Sequence, residues 1–225
     1  MDVTFTLTWL LWNRGRPNTS LFEGQLTFEK GGIKVNSQMQ SSNTSVYAVG
    51  DIASFPIKLF GDTRRLEHVD AARKTAKHAV CAIMAPKTTS DFDYLPFFYS
   101  RVFSLSWQFY GDNVGEVIHF GDFSGAKFGA YWVNNRRLVG CFLEGGRNED
   151  YVAIAKVIRL KPVVLDLGEL EREGLDFVVA VSRKPPVSPP VGRGGRKKPV
   201  YLWYAAYGIV VAASVAAFGY WYAAK

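Results

Sequence analysis

The sequence predicts an α+β body followed by a C-terminal helix that crosses a membrane. Three observations carry this. Short aromatic and β-branched runs, separated by glycine, asparagine and proline, recur from Phe28 to Glu144. One long segment, Arg64 to Met84, places apolar residues at helical spacing. The 24 residues from Tyr201 to Ala224 contain no charge.

Taken in order, Phe28–Val35 reads as two short strands around Gly31-Gly32, a hairpin. Val46–Val49 reads as a strand that ends in Gly50 and is followed at once by Asp51. A strand end of this kind delivers a carboxylate to the rim of a ligand site, with the glycine letting a ligand approach the backbone. Gly-Asp also serves simply to turn a chain. From Arg64 to Met84 the residues Leu66, Val69, Ala72, Ala76, Ala79, Val80 and Ile83 form an apolar stripe, and Glu67 and Asp70 suit the positive end of a helix dipole. Pro86 and the polar run after it mark a boundary.

A second unit begins near Phe92. Trp107–Tyr110, Glu116–Phe120, Phe128–Val133 and Leu138–Glu144 read as strands, with a turn at Asn134-Asn135. Two helices follow, about Asn148–Leu160 and Leu167–Arg172, which gives an antiparallel sheet with helices attached.

The formal charge of +7 lies outside the body. Residues 1–182 hold 20 Lys and Arg against 20 Asp and Glu, and all seven excess cations fall in 183–225. A balanced body argues against nucleic acid as a partner. Cys81 and Cys141 are too far apart for a dithiol motif and read as small buried apolar residues in a reducing compartment. His68, His78 and His119 show no metal-ligand spacing, so no metal is expected. Neither G-x-G-x-x-G nor a P-loop occurs, so the glycine turn that seats a dinucleotide pyrophosphate on a helix N-terminus is missing.

As a helix, Tyr201–Ala224 would span about 36 Å, enough for a bilayer core of about 30 Å. Tyr201, Trp203, Tyr204 and Tyr207 stand at one end and Phe218, Tyr220, Trp221 and Tyr222 at the other, as interfacial belts. Arg193, Arg196, Lys197 and Lys198 precede the span and only Lys225 follows it, which places the body in the cytosol and makes the chain tail-anchored in the lipid bilayer. Lys184-Pro-Pro-Val-Ser-Pro-Pro190 reads as an extended spacer.

Several segments together resemble a known family. They are Arg16-Pro-Asn-Thr-Ser-Leu-Phe-Glu-Gly24, Ser45-Val-Tyr-Ala-Val-Gly-Asp51, Arg65-Leu-Glu-His-Val-Asp-Ala-Ala-Arg-Lys74, Tyr94-Leu-Pro-Phe-Phe-Tyr-Ser-Arg101, Ser106-Trp-Gln-Phe-Tyr-Gly-Asp112 and Phe142-Leu-Glu-Gly-Gly146. From about Arg16 to Val179 the chain resembles the C-terminal half of plant monodehydroascorbate reductases, flavoenzymes of the two-dinucleotide-fold reductase class. Its tail resembles that of the peroxisomal-membrane form. The resemblance implies FAD and NAD(P)H as cofactors and reduction of the monodehydroascorbate radical to ascorbate. It implies that Asp51 contacts the ribityl chain, that Glu67 and His68 line the nicotinamide side, and that Val69 touches the flavin. Tyr99 falls beside the isoalloxazine ring as the one catalytic assignment, and Arg73 and Arg101 contact ascorbate.

The resemblance also divides the chain. Residues 1–15 form a divergent head and 16–86 a remnant of the NAD/FAD-binding region. Residues 91–182 form the C-terminal reductase α+β domain, 183–198 the Pro-rich basic linker, and 199–225 the transmembrane anchor. A complete member carries two glycine fingerprints upstream, so the expectation is a truncated chain, weakly active or inactive alone. The non-enzyme alternative is a tail-anchored binding or scaffold module. Endoplasmic reticulum is the alternative to the peroxisomal membrane.

Overall fold

The computed structural model describes residues 15–184, Ala126 excepted. The expected transmembrane segment lies outside the described residues. Among the described residues no helix is long and apolar enough to cross a membrane. The body is α+β, as expected, and is built on two sheets.

The first sheet has the order β1 (Phe28–Glu29), β2 (Gly32–Lys34), β3 (Ala53–Ile57), β4 (Asp62–Arg65). The hairpin β1–β2 forms where the sequence predicts it, with the turn one residue earlier, at Lys30 and Gly31 (φ 51° and 77°). Both turn residues need positive φ to match strand twist, and glycine supplies it freely only at the second. Gly32 is required for space instead, since a Cβ there would lie 2.6 Å from the Ile52 carbonyl oxygen.

The structure corrects three expectations. Val46–Val49 is not a strand; only Tyr47 bridges, to Gln40. The strand comes later, at β3, whose Phe55 and Ile57 are fully buried and which pairs in parallel with β2. The helix does not begin at Arg64. Asp62–Arg65 closes the sheet as β4 against β3, and helix α1 runs Val69–Met84. Helical spacing of Leu66 within the stripe is coincidental. Only part of the stripe packs: its Ala79 is buried, while its Val69, Val80 and Ile83 are exposed. α1 buries Ala71, Thr75, Ala79 and Ala82 against the first sheet and leaves Val69, Val80, Ile83 and Met84 exposed. Small residues let the helix axis approach the sheet closely.

The second sheet is antiparallel throughout, in the order β5 (Phe97–Val102), β6 (Leu105–Gly111), β9 (Arg137–Glu144), β8 (Lys127–Asn134), β7 (Glu116–Asp122). The sequence does not predict β5 as a strand. The β8–β9 turn sits at Asn135-Arg136, again one residue from the predicted place, with φ 49° and 57°. One face of this sheet packs on α2 (Asn148–Leu160), α3 (Leu167–Glu173) and α4 (Leu175–Arg183). Tyr131, Leu138, Cys141 and Leu143 meet Ile154, Ile158, Leu170 and Val178 there. The sequence anticipates α2 and α3 but not α4. Gly174 (φ 52°) separates α3 from α4, and its carbonyl oxygen accepts from Tyr131 Oη at 2.8 Å.

The two sheets are tied by named contacts. Leu59 packs on both cores. Arg64 bonds Asp112 at 2.6 Å, Lys161 Nζ donates to the Leu59 carbonyl at 2.6 Å, and Arg159 holds Asp93 with 3.0 Å and 3.1 Å contacts. Burial opposes the Arg64 charge, but its bonds to Asp112 and Asp62 outweigh that and leave its pKa raised.

Candidate functional site

The expected site residues gather where the first sheet, the N-terminus of α1 and β5 meet. Asp51 stands in a short 3₁₀ turn, Gly50–Ile52, and its side chain is exposed. Gly50 has φ 69°, a conformation that favours glycine, and it lies close to protein on one side. The neighbour is helix α1: a Cβ on Gly50 would lie 3.4 Å from Ala72 Cβ. Gly50 N–H donates to Thr75 Oγ1 at 3.0 Å, and that hydroxyl donates onward to the Ala71 carbonyl at 2.8 Å. Thr75 therefore fixes the Asp51 turn against α1. Sequence reading misses Thr75, because a threonine inside a helix carries no distinctive signal.

Arg65 is missed as well. Its largely buried guanidinium reaches the Asp51 carbonyl at 3.2 Å, the Gly15 carbonyl at 3.3 Å and the Glu67 carboxylate at 2.5 Å. Among the described residues, Arg65 Nε and Glu67 Oε1 have no hydrogen-bond partner although both are buried. The close ion pair satisfies charge without aligned geometry. One residue thus links Asp51 to Glu67, the two acids the resemblance singles out.

His68 caps α1. Its Nδ1 accepts from Asp70 N–H at 3.4 Å, and its Nε2 lies 3.2 Å from the Tyr99 carbonyl oxygen and 3.4 Å from the Tyr99 amide nitrogen. The imidazole meets the Tyr99 ring edge-on at 4.7 Å and lies 5.4 Å from Phe98. Tyr99, Phe97 and Tyr110 stack in sequence at 5.5 Å and 4.6 Å. Val69 begins the helix beside this cluster with its side chain exposed. Arg73 follows one turn later on α1, and Arg101 sits two residues beyond Tyr99 on β5. Both are exposed, and among the described residues neither forms an ion pair. His68, Val69 and Tyr99 are thus brought together, Asp51 and Glu67 are joined through Arg65, and the two arginines are left with free guanidinium groups.

Below the cluster, Tyr94 Oη donates to Asp70 at 2.9 Å and Lys74 pairs with the same carboxylate at 2.8 Å. Burial first and the Asp70 charge second raise the Tyr94 pKa well above its ordinary value. Burial likewise pushes Tyr110 up to about 12. Neither phenol ionises near neutral pH. Cys81 is exposed, against expectation, while Cys141 is fully buried and its thiol pKa is raised by that burial. Among the described residues no cluster of acids, histidines and cysteines could hold a metal.

Comparison with known proteins gives matches over two stretches of the chain. A family model described as pyridine nucleotide-disulphide oxidoreductase matches residues 5–76, and one described as monodehydroascorbate reductase 3-like, C-terminal domain, matches residues 95–178. The chain is 63% identical over 221 residues to the peroxisomal monodehydroascorbate reductase 4 of Arabidopsis thaliana, covering 92% of this chain and 45% of the relative. Over most of its own length the chain is similar in sequence to monodehydroascorbate reductases. A peroxisomal monodehydroascorbate reductase 2 of Oryza sativa subsp. japonica is 60% identical over 213 residues, 93% of this chain and 44% of its own. The monodehydroascorbate reductase of Pisum sativum is 55% identical over 170 residues, 72% of this chain and 39% of its own. The chain therefore spans less than half the length of these curated family members. Among solved structures, the covalent putidaredoxin reductase–putidaredoxin complex is similar with a TM-score of 0.63 at 25% identity, over 76% of this chain and 41% of that one. A ferredoxin reductase from Rhodopseudomonas palustris is similar with a TM-score of 0.59 at 25% identity, over 68% and 40%.

Proposed function

We propose that this chain supplies one wall of the FAD site of an NADH-dependent monodehydroascorbate reductase and is held at the peroxisomal membrane by its C-terminal tail. The observation that carries this is the junction of His68, Val69 and Tyr99 at the N-terminus of α1, in a chain whose relatives are named for that reaction. FAD, when bound, supplies the passage from two-electron donor to one-electron acceptor.

The chain's own residues have separable roles in this reading. The Asp51 carboxylate accepts a hydroxyl hydrogen bond from the ribityl chain. The N-terminus of α1 stabilises negative charge on the ring system through its helix dipole. Glu67 and His68 line the nicotinamide side, and the contacts of His68 Nε2 with the Tyr99 backbone hold the imidazole. Val69 touches the flavin and Tyr99 packs beside it. Arg73 and Arg101 dock the ascorbate anion with guanidinium groups that form no ion pair among the described residues. No nucleophile and no acid–base group is needed for outer electron transfer to a radical.

Two features support the reading that this chain alone is an incomplete site. No glycine fingerprint for a pyrophosphate is present in the sequence. The exposed face of α1, with Val69, Val80, Ile83 and Met84, is an apolar surface the body does not cover. For the tail, relatives named peroxisomal align over 92–93% of this chain, whereas others align over 72–74%. That extra fifth of the chain exceeds the residues before Gly15, so the shared stretch reaches into the tail.

Flavin binding by the full chain in detergent tests the site. FAD fluorescence should be quenched weakly, with Asp51→Ala and Glu67→Ala weakening binding several-fold further. Binding indifferent to both substitutions would overturn the assignment and favour a scaffold role. Stoichiometric flavin with full NADH turnover would overturn the incompleteness.

A further inference from the structure

The second sheet ends in two hairpin tips that the reductase reading does not use. The β5–β6 tip carries Phe103, 95% exposed and held at φ 53°, between the exposed Val102 and Leu105. A bulky side chain in the left-handed region, in contact with nothing, is unfavourable on both counts. The β7–β8 tip carries Phe123, 62% exposed, stacked on Phe128 at 4.6 Å and so held outward.

Strand register puts both tips on one rim. Trp107 pairs with Glu144, Leu143 with Gly129, and Lys127 with Asp122, so the start of β6, the end of β9, the start of β8 and the end of β7 lie level. With three strand spacings between them, the tips stand about 14 Å apart. The same rim carries Lys127 and Arg147, whose side chains are 51% and 76% exposed. They share one sunken carboxylate, Asp150, at 3.8 Å and 3.7 Å. Asp122 is turned back into its own loop, accepting from Ser124 N–H and Oγ, bonds that hold its pKa below the usual range. Glu149 is the remaining exposed acid at the start of α2.

We propose that this rim docks on a lipid surface, with Phe103 and Phe123 entering the interface and Lys127 and Arg147 facing headgroup phosphates. The inference rests on the tail-anchor reading. Two aromatic tips bind membranes weakly alone, and a tether converts docking into an intramolecular event. The 14 residues 185–198 reach about 43 Å if extended, a distance comparable to the diameter of a body this size. Docking would hold the body in one orientation at the membrane.

The full chain, in a Cys81→Ser background, is reconstituted into vesicles of phosphatidylcholine with one-fifth phosphatidylinositol. Phe103→Cys, Phe123→Cys and, at the opposite end of β7, Glu116→Cys carry an environment-sensitive fluorophore. Vesicle flotation reports the anchor separately. The expected result is quenching by a lipid-borne quencher at least threefold stronger at positions 103 and 123 than at 116. Adding Lys127→Glu with Arg147→Glu should reduce that difference at least twofold. A chain that floats while 103 and 123 behave like 116 overturns the docking and leaves the anchor standing. A chain that does not float overturns both. Labels shielded equally in detergent, at the mass of two copies, would mean that a second copy covers the rim, and would overturn the lipid assignment.

Discussion

Thr75 is the residue whose removal most directly separates the Asp51 turn from the rest of the body. It is fully buried, and its hydroxyl is the acceptor for Gly50 N–H. Thr75→Val keeps the shape and strands that amide without a partner, which should cost about 1–3 kcal/mol in a denaturant melt. Stability unchanged by the substitution would mean that the turn finds another acceptor. Asp51 is legible in the sequence because Gly-Asp after an apolar run is a local pattern. Arg65 and Thr75 are not, because each acts through a partner at least ten residues away, and nothing local marks that partner.

Among the elements, those with a self-contained signal are legible and those defined by a neighbour are not. The α2 boundaries follow from its own apolar period and from Pro162 after it. β3 and β4 exist because Ala53–Ile57 pairs with β2 on one side and with Asp62–Arg65 on the other, and Asp62–Arg65 has no apolar alternation of its own. The stripe on α1 misleads because the side that packs is chosen by closeness, which favours alanine, and not by hydrophobicity alone. The β8–β9 turn offers a direct test of local backbone chemistry. Arg136 sits at φ 57° and is exposed, so a side chain gains nothing there. Arg136→Gly should raise stability by about 0.5–1 kcal/mol, or about 1–4 °C in a thermal scan. A lowered midpoint would show that the arginine side chain holds the turn through a contact of its own.

For the whole molecule, alkaline pH is the condition to which the fold should be most sensitive. Cys141, Tyr94, Tyr110 and Tyr131 are all raised above their ordinary values, chiefly by burial. The unfolded chain would release these protons near pH 8.5 for the thiol and near pH 10 for the phenols, while the folded chain keeps them. The native state then binds more protons, so its stability is full below about pH 8.5 and falls as pH rises from there. Melting midpoints should be flat from about pH 6 to 8, decline above about 8.5, and steepen above about 10. Cys141→Ala should remove the first part of the decline only. A midpoint independent of pH up to 11 would contradict the burial of these groups.

The parallel pairing of β2 with β3 carries a consequence in time. Ile33 meets Ala53 across a long crossover, while most pairings of the second sheet join hairpin neighbours, such as Phe97 with Tyr110 and Val133 with Leu138. Local pairings close quickly and distant ones wait. The first sheet, made before the second, is therefore the part that should settle last, with Arg64 and the Leu59 carbonyl meeting Asp112 and Lys161 of the later half. Pulse-labelled hydrogen exchange during refolding should protect β8 and β9 amides before those of β2 and β3; the reverse order would refute this. Until then the early half is a client for whatever guards nascent chains.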